Sequence, residues 1–125
     1  MDRNREIAQA LSRIENKLSS PKIQRAAINC STAGNNTIVA AVSGKQIKVL
    51  SLLIFPGGGD ATLRFESGAG GTALTGQMKV DVNNVLFLPP TNVGMHYFET
   101  APGELLNLEN AEGRDCDGFI LYIVE

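Results

Sequence analysis

Few side chains in this sequence are equipped for chemistry, and they are scattered. His96 is the lone histidine and lies between Met95 and Tyr97. A Ser–His–Asp or Cys–His site draws its members from distant parts of a chain. Composition therefore leaves such a site open, but no GxSxG elbow is present to expose a serine. Cys30 and Cys116 are the two cysteines. With His96 they make three potential ligands, one short of a tetrahedral zinc set, and they lack its close pair spacing. Glu109, Glu112, Asp115 and Asp117 crowd the stretch ENAEGRDCDG. Oxygen ligands on a loop can hold calcium, but this order is not that of the twelve-residue calcium loop. The glycine-rich stretches FPGGGD (55–60) and SGAGGTALTG (67–76) could wrap a phosphate with backbone amides. Neither carries the lysine and Ser/Thr of a P-loop, and neither opens a helix after a strand. They read as a turn needing positive φ and as a loop. The expectation is a non-enzyme, with no catalytic residue, no metal and no cofactor.

The elements that carry these residues fall into two regions divided at Pro21. All 13 glycines follow it. Residues 1–25 hold six basic and three acidic side chains, and the rest of the chain holds five and ten. A basic arm thus precedes an acidic body. The arm, residues 1–21, is predicted to be helical. Asp2 can cap the first turn, and Ser19, Ser20 and Pro21 stop the helix. Ile7, Leu11, Ile14 and Leu18 form one narrow apolar stripe between charged shoulders, with Arg3, Arg5 and Arg13 supplying positive charge. The spacing fits a short coiled-coil seam, with Leu at a and Ile at d favouring three or more strands. It also fits an amphipathic helix lying on a body. These seven residues are the expected arm contacts.

From residue 22 the pattern changes to short strands separated by turns. The expected strands are 22–30, 37–42, 45–55, 61–67, 78–82, 85–88, 94–100, 104–110 and 118–125, with Gly34, Asn35 and Asn36 as a turn. ATLRFES alternates cleanly between apolar and polar. Turn signals every eight to twelve residues and the absence of a second helical stretch predict an all-β sandwich or barrel over residues 22–125. Three strands look apolar on both faces, whereas a two-layer sandwich buries only one face of each sheet. The surplus surface, assigned to Leu50, Leu52, Ile54, Ile120, Tyr122 and Val124, is expected to pair with another copy of the chain. A bulge would mix the faces and undo that assignment. Cys30 and Cys116 close the first strand and precede the last, which are neighbours in many sandwiches. Two free thiols is the reading for a chain made in a reducing cytoplasm.

Several partner classes are disfavoured. The net charge of −2 argues against a dedicated nucleic-acid binder. The charged N-terminus is not a signal peptide. The apolar run VLSLLIF is too short to span a bilayer as a helix.

The series NTIVAAVSGKQIKVLSLLIF, ATLRFESG, TALTG, LFLPP, YFETAPGELLNLEN and GFILYIVE resembles the small jelly-roll virion proteins of tailed bacteriophages. These are the capsid decoration (cement) and head- or tail-fibre types. The resemblance covers residues 36–125 and lies in strand texture rather than in a catalytic motif. It implies an antiparallel jelly-roll sandwich of about eight strands behind a short N-terminal helix, assembled as a homotrimer. It implies a structural role on a virion, binding a capsid or other virion protein, with synthesis in a host cytoplasm. The alternative is a receptor- or carbohydrate-binding fibre head, for which Tyr97 and Tyr122 are the platform candidates.

Overall fold

The computed structural model describes residues 3–18 and 21–125, with side chains described for 3–13 and 21–125. Helix α1 runs Arg3–Leu18. Ten strands follow: β1 (Gln24–Cys30), β2 (Gly34–Val39), β3 (Ile47–Pro56), β4 (Ala61–Ser67), β5 (Thr72–Ala73), β6 (Met78–Val80), β7 (Leu86–Leu88), β8 (Phe98–Glu99), β9 (Leu106–Asn110) and β10 (Cys116–Val124). Asp2, Ser19 and Ser20, expected to bound the helix, lie outside the described residues.

The strands form two antiparallel sheets. One has the order β1-β10-β3-β7, with β8 also on β3. The other has the order β2-β9-β4-β5, with β6 also on β4. Strands β5 and β6 share one position in the second sheet, and β7 and β8 share one in the first. Eight positions result, and successive positions along the chain switch between sheets except from β4 to β5 and β6, which stay in the second sheet; this is the jelly-roll winding. The all-β sandwich with an N-terminal helix is the architecture expected. Two short pieces at one position arise where LTGQ (74–77) separates β5 from β6 and where the segment opening at Pro89-Pro90 separates β7 from β8.

The core fills the space between the sheets. Ile28, Ile47, Val49, Leu52, Ile54 and Ile120 come from the first sheet. Leu63, Phe65, Leu106 and Leu108 come from the second. Phe65 meets Phe98 across the gap, with ring centroids 5.2 Å apart. Where residues of β4 and β9 pair, Leu63 sits opposite Asn110 and Phe65 opposite Leu108. Alternation then sends Arg64, Glu66, Asn107 and Glu109 to the outer face.

The ladder between β3 and β10 is irregular. Leu121 pairs with Ser51, but Tyr122 pairs with Val49, so Leu50 is an extra residue in a β-bulge. A bulge exchanges the faces of everything beyond it. Ile47 and Val49 therefore point inward together with Leu52 and Ile54. Strict alternation had placed these two pairs on opposite faces. The expected turn at Gly34–Asn36 is instead the start of β2. Its polar side chains are held by neighbours: Asn36 Nδ2 donates to the Thr32 carbonyl at 2.9 Å, and Asn107 Nδ2 donates to Asn35 Oδ1 at 2.9 Å.

Candidate functional site

Two outward faces and one arm are available to a partner. On the first sheet, Ala27 pairs with Phe119, Phe119 with Leu53, and Leu53 with Phe87. The intervening residues Ile28, Ile120 and Leu52 are buried in the core, so alternation turns all four outward. They make one apolar row across four strands, about 14 Å long at the usual strand spacing. Phe119 and Leu53 are half-buried and Ala27 is exposed, while Phe87 is 52 % exposed. Phe55, opposite Asp117 and 49 % exposed, extends the row at one side. Leu121, opposite Arg25, extends it at the other. Asp117 and Arg25 therefore flank the apolar row with opposite charges, and both are exposed.

The six residues predicted to form an interface do not lie there. Leu52, Ile54, Ile120 and Tyr122 belong to the core, and Val124 packs against it half-buried. Leu50, the bulge residue, is also buried. The surplus apolar face is made instead by Leu53, Phe55, Phe87, Phe119 and Leu121: the bulge at Leu50 turns Leu52 and Ile54 inward together with Ile47 and Val49, and the uninterrupted alternation of β10 turns Ile120 and Tyr122 inward with them. Tyr122 is lost as a sugar platform because it lies on the core face of β10, and its hydroxyl meets Gln24 Oε1 at 3.3 Å. Tyr97 is partly exposed, and its hydroxyl donates to the Pro89 carbonyl at 2.7 Å.

The outer face of the second sheet is polar and internally bonded. The Arg64 guanidinium reaches Glu66 Oε2 at 2.5 Å and Glu109 Oε2 at 2.8 Å. Glu66 is fully buried, and Asn107 Nδ2 donates to its other oxygen at 2.8 Å. Burial alone would push the Glu66 carboxyl up, but the bonds from Arg64 and Asn107 outweigh it, and the carboxyl lies below its ordinary range. The bond to Glu66 likewise pushes the Arg64 guanidinium up. Buried charges arranged this way are structural, each holding its neighbour ionised.

The remaining candidates are similarly engaged. Glu112 accepts from the amide and the hydroxyl of Thr62, each at 2.8 Å. The hydroxyl bond is the main reason its carboxyl lies below the usual range. Glu109 is taken by Arg64. Among the described residues no three His, Cys, Asp or Glu side chains converge as a metal set. His96 Nε2 faces Glu99 Oε2 at 3.1 Å, and Lys48 Nζ lies 3.9 Å from the same carboxylate. In the glycine turn after β3, the Gly57 amide donates to the Asp115 carbonyl at 2.7 Å. That amide is therefore part of the loop packing rather than aimed at a ligand. Cys30 and Cys116 are cross-strand partners, buried and unbridged.

The arm presents its side chains to solvent. All side chains from Arg3 to Arg13 are exposed, including Arg3, Arg5 and Arg13. Ile7 and Leu11 are 54 % and 55 % exposed. The side chains of Ile14 and Leu18, the other half of the expected seam, lie outside the described residues. No described helix is long and apolar enough to cross a membrane.

Comparison with protein-family profiles and with curated proteins gives no match. Among solved structures, a chain from the Bacillus endospore appendages, described as a novel family of disulfide-linked pili, superposes with a TM-score of 0.48. It shares 15 % identity over 85 % of this chain and 89 % of that one. A likeness this loose adds nothing to the topology described above.

Proposed function

We propose that the chain is a self-assembling structural protein of a virion. In this reading it is a homotrimeric capsid decoration, or cement, protein that attaches to the outer shell. The observation that carries the reading is the apolar row Ala27–Phe119–Leu53–Phe87, extended by Phe55 and Leu121, on a sheet face that water cannot favour. A second copy is its occupant. Arg25 and Asp117 lie on opposite sides of the row, so each copy offers both signs of charge to its neighbour.

The arm supplies a second contact. Its exposed Ile7 and Leu11 and its positive charge suit a shell surface or an adjoining protomer. The Leu-and-Ile seam favours three strands over two. Attachment by several weak contacts per trimer gains strength from effective concentration. The role on a virion rests on the jelly-roll winding together with the strand texture shared with phage decoration proteins.

The test is co-sedimentation of the protein with particles of its source lacking it, followed by negative-stain imaging. Saturable binding that adds regular density to the shell is the expected result. Retention of a glycan on an array without particle binding would replace this reading with the fibre-head alternative.

A further inference from the structure

We propose that Cys30 and Cys116 form a redox-addressable pair, which a small-molecule disulfide such as oxidised glutathione converts into a cross-strand bridge fastening β1 to β10. Cys30 is the last residue of β1 and Cys116 the first of β10, and the two are direct partners in the ladder. Directly opposed residues of antiparallel strands have Cα atoms about 4.5–5.5 Å apart. That separation lies inside the range a disulfide requires, about 4.4–6.8 Å. Both residues belong to the core cluster, so their side chains point to the same side of the sheet. The ladder thus holds the two backbones at a separation that a bridge can span.

The position gives the bridge a consequence. Strand β1 is the edge of its sheet and pairs only with β10 among the described strands. It is also the strand from which the helical arm departs. In the reduced chain its seven-residue ladder and the side chains of Ala26 and Ile28 hold it down. A covalent link at its far end prevents the strand from peeling. It also closes the chain between residues 30 and 116, most of the body. Closing so long a stretch restricts the unfolded ensemble strongly.

The exchange proceeds in two displacements. The Cys30 thiolate attacks one sulfur of oxidised glutathione, forming a mixed disulfide and releasing one glutathione thiolate. The Cys116 thiolate then attacks the Cys30 sulfur, forming the protein disulfide and releasing the second glutathione. The protein loses two electrons and two protons, and the reagent becomes two thiols. Either thiolate can begin the exchange. Burial pushes the Cys30 thiol up, and bonds to Asn110 and Cys116 partly offset this. Burial, followed by the charge of Cys30, pushes Cys116 up to about 12. Both sulfurs are shielded in the closed fold, so the reagent enters when the end of the edge strand opens locally. Oxidation is accordingly slow and accelerates with rising pH.

The experiment is equilibration of the full chain in glutathione buffers of graded ratio, then acid quench, alkylation in denaturant and intact-mass measurement. The expected product in oxidising buffers is a single chain lighter by two hydrogens, free of alkylation, with a peptide linking residues 30 and 116. Its thermal midpoint should exceed that of the reduced chain by about 10 °C. The Cys116→Ser variant should stop at the mixed disulfide of Cys30 with glutathione. Two alkylated thiols in the most oxidising buffer would overturn the proposal. So would disulfides joining different chains, or a bridge that leaves the midpoint unchanged.

Discussion

Arg64 serves three groups at once: Glu66, Glu109 and, through Glu66, the buried amide of Asn107. Removing it leaves a buried carboxylate without its cation, which is far worse than losing an exposed ion pair. The Arg64→Met variant should be clearly less stable at neutral pH, the arginine's partial exposure keeping the loss below that of a fully buried pair. The sign of the pH dependence follows from Glu66. Its folded pKa is depressed, so its contribution is complete above the unfolded value, about 4.3, and disappears as pH falls through the folded one. Urea denaturation of both proteins should therefore show a gap at pH 7 that narrows below about pH 4. Gly118 is the second residue with a defined cost. A Cβ there would collide with the backbone carbonyl of Leu53 on the neighbouring strand. Gly118→Ala should lower stability by about 2 kcal/mol or more in the same assay, since neither strand can yield without breaking its ladder. Of the chemistry-bearing residues, the sequence could identify the types but not their engagement. The bonds of Glu112 to Thr62 and of Glu109 to Arg64 span 50 and 45 positions, and no local pattern announces them.

At the scale of elements, local periodicity and turn chemistry made most of the sandwich legible. ATLRFES alternates in the sequence as β4 does in the sheet, and the helix ends before Pro21 as proline requires. The sequence stops short at Leu50. A bulge is a property of two strands, and nothing within VLSLLIF marks which residue will lack a partner. That one residue moved the candidate interface from Leu52 and Ile54 to Leu53 and Phe55. The start of β2 is hidden in the sequence for a similar reason, because Gly34-Asn35-Asn36 is turn chemistry until β9 supplies partners. Among the described side chains the helix is exposed throughout residues 3–13, so the body should fold without it. Deleting residues 1–20 should leave the β-type circular dichroism and the thermal midpoint of the body within about 2 °C of the full chain. A Leu11→Asp substitution should likewise leave stability intact while weakening contact with a partner, because a carboxylate placed in an apolar seam is strongly disfavoured.

The whole molecule is a sandwich whose two outer faces are unlike. One carries the bonded polar network around Arg64, and the other carries the apolar row through Phe119 and Leu53. The charged groups of the polar face are paired within one chain, whereas the apolar face leaves Phe55 and Phe87 about half exposed. A second copy covering that row is the central claim, and sedimentation equilibrium tests it most directly. The full chain at micromolar concentration should sediment as three chains. Phe87→Asp, which changes an exposed residue and spares the core, should sediment as one chain with its fold unchanged by circular dichroism. A wild-type protein that sediments as a monomer, or a Phe87→Asp variant that still forms the trimer, would contradict assembly through this face.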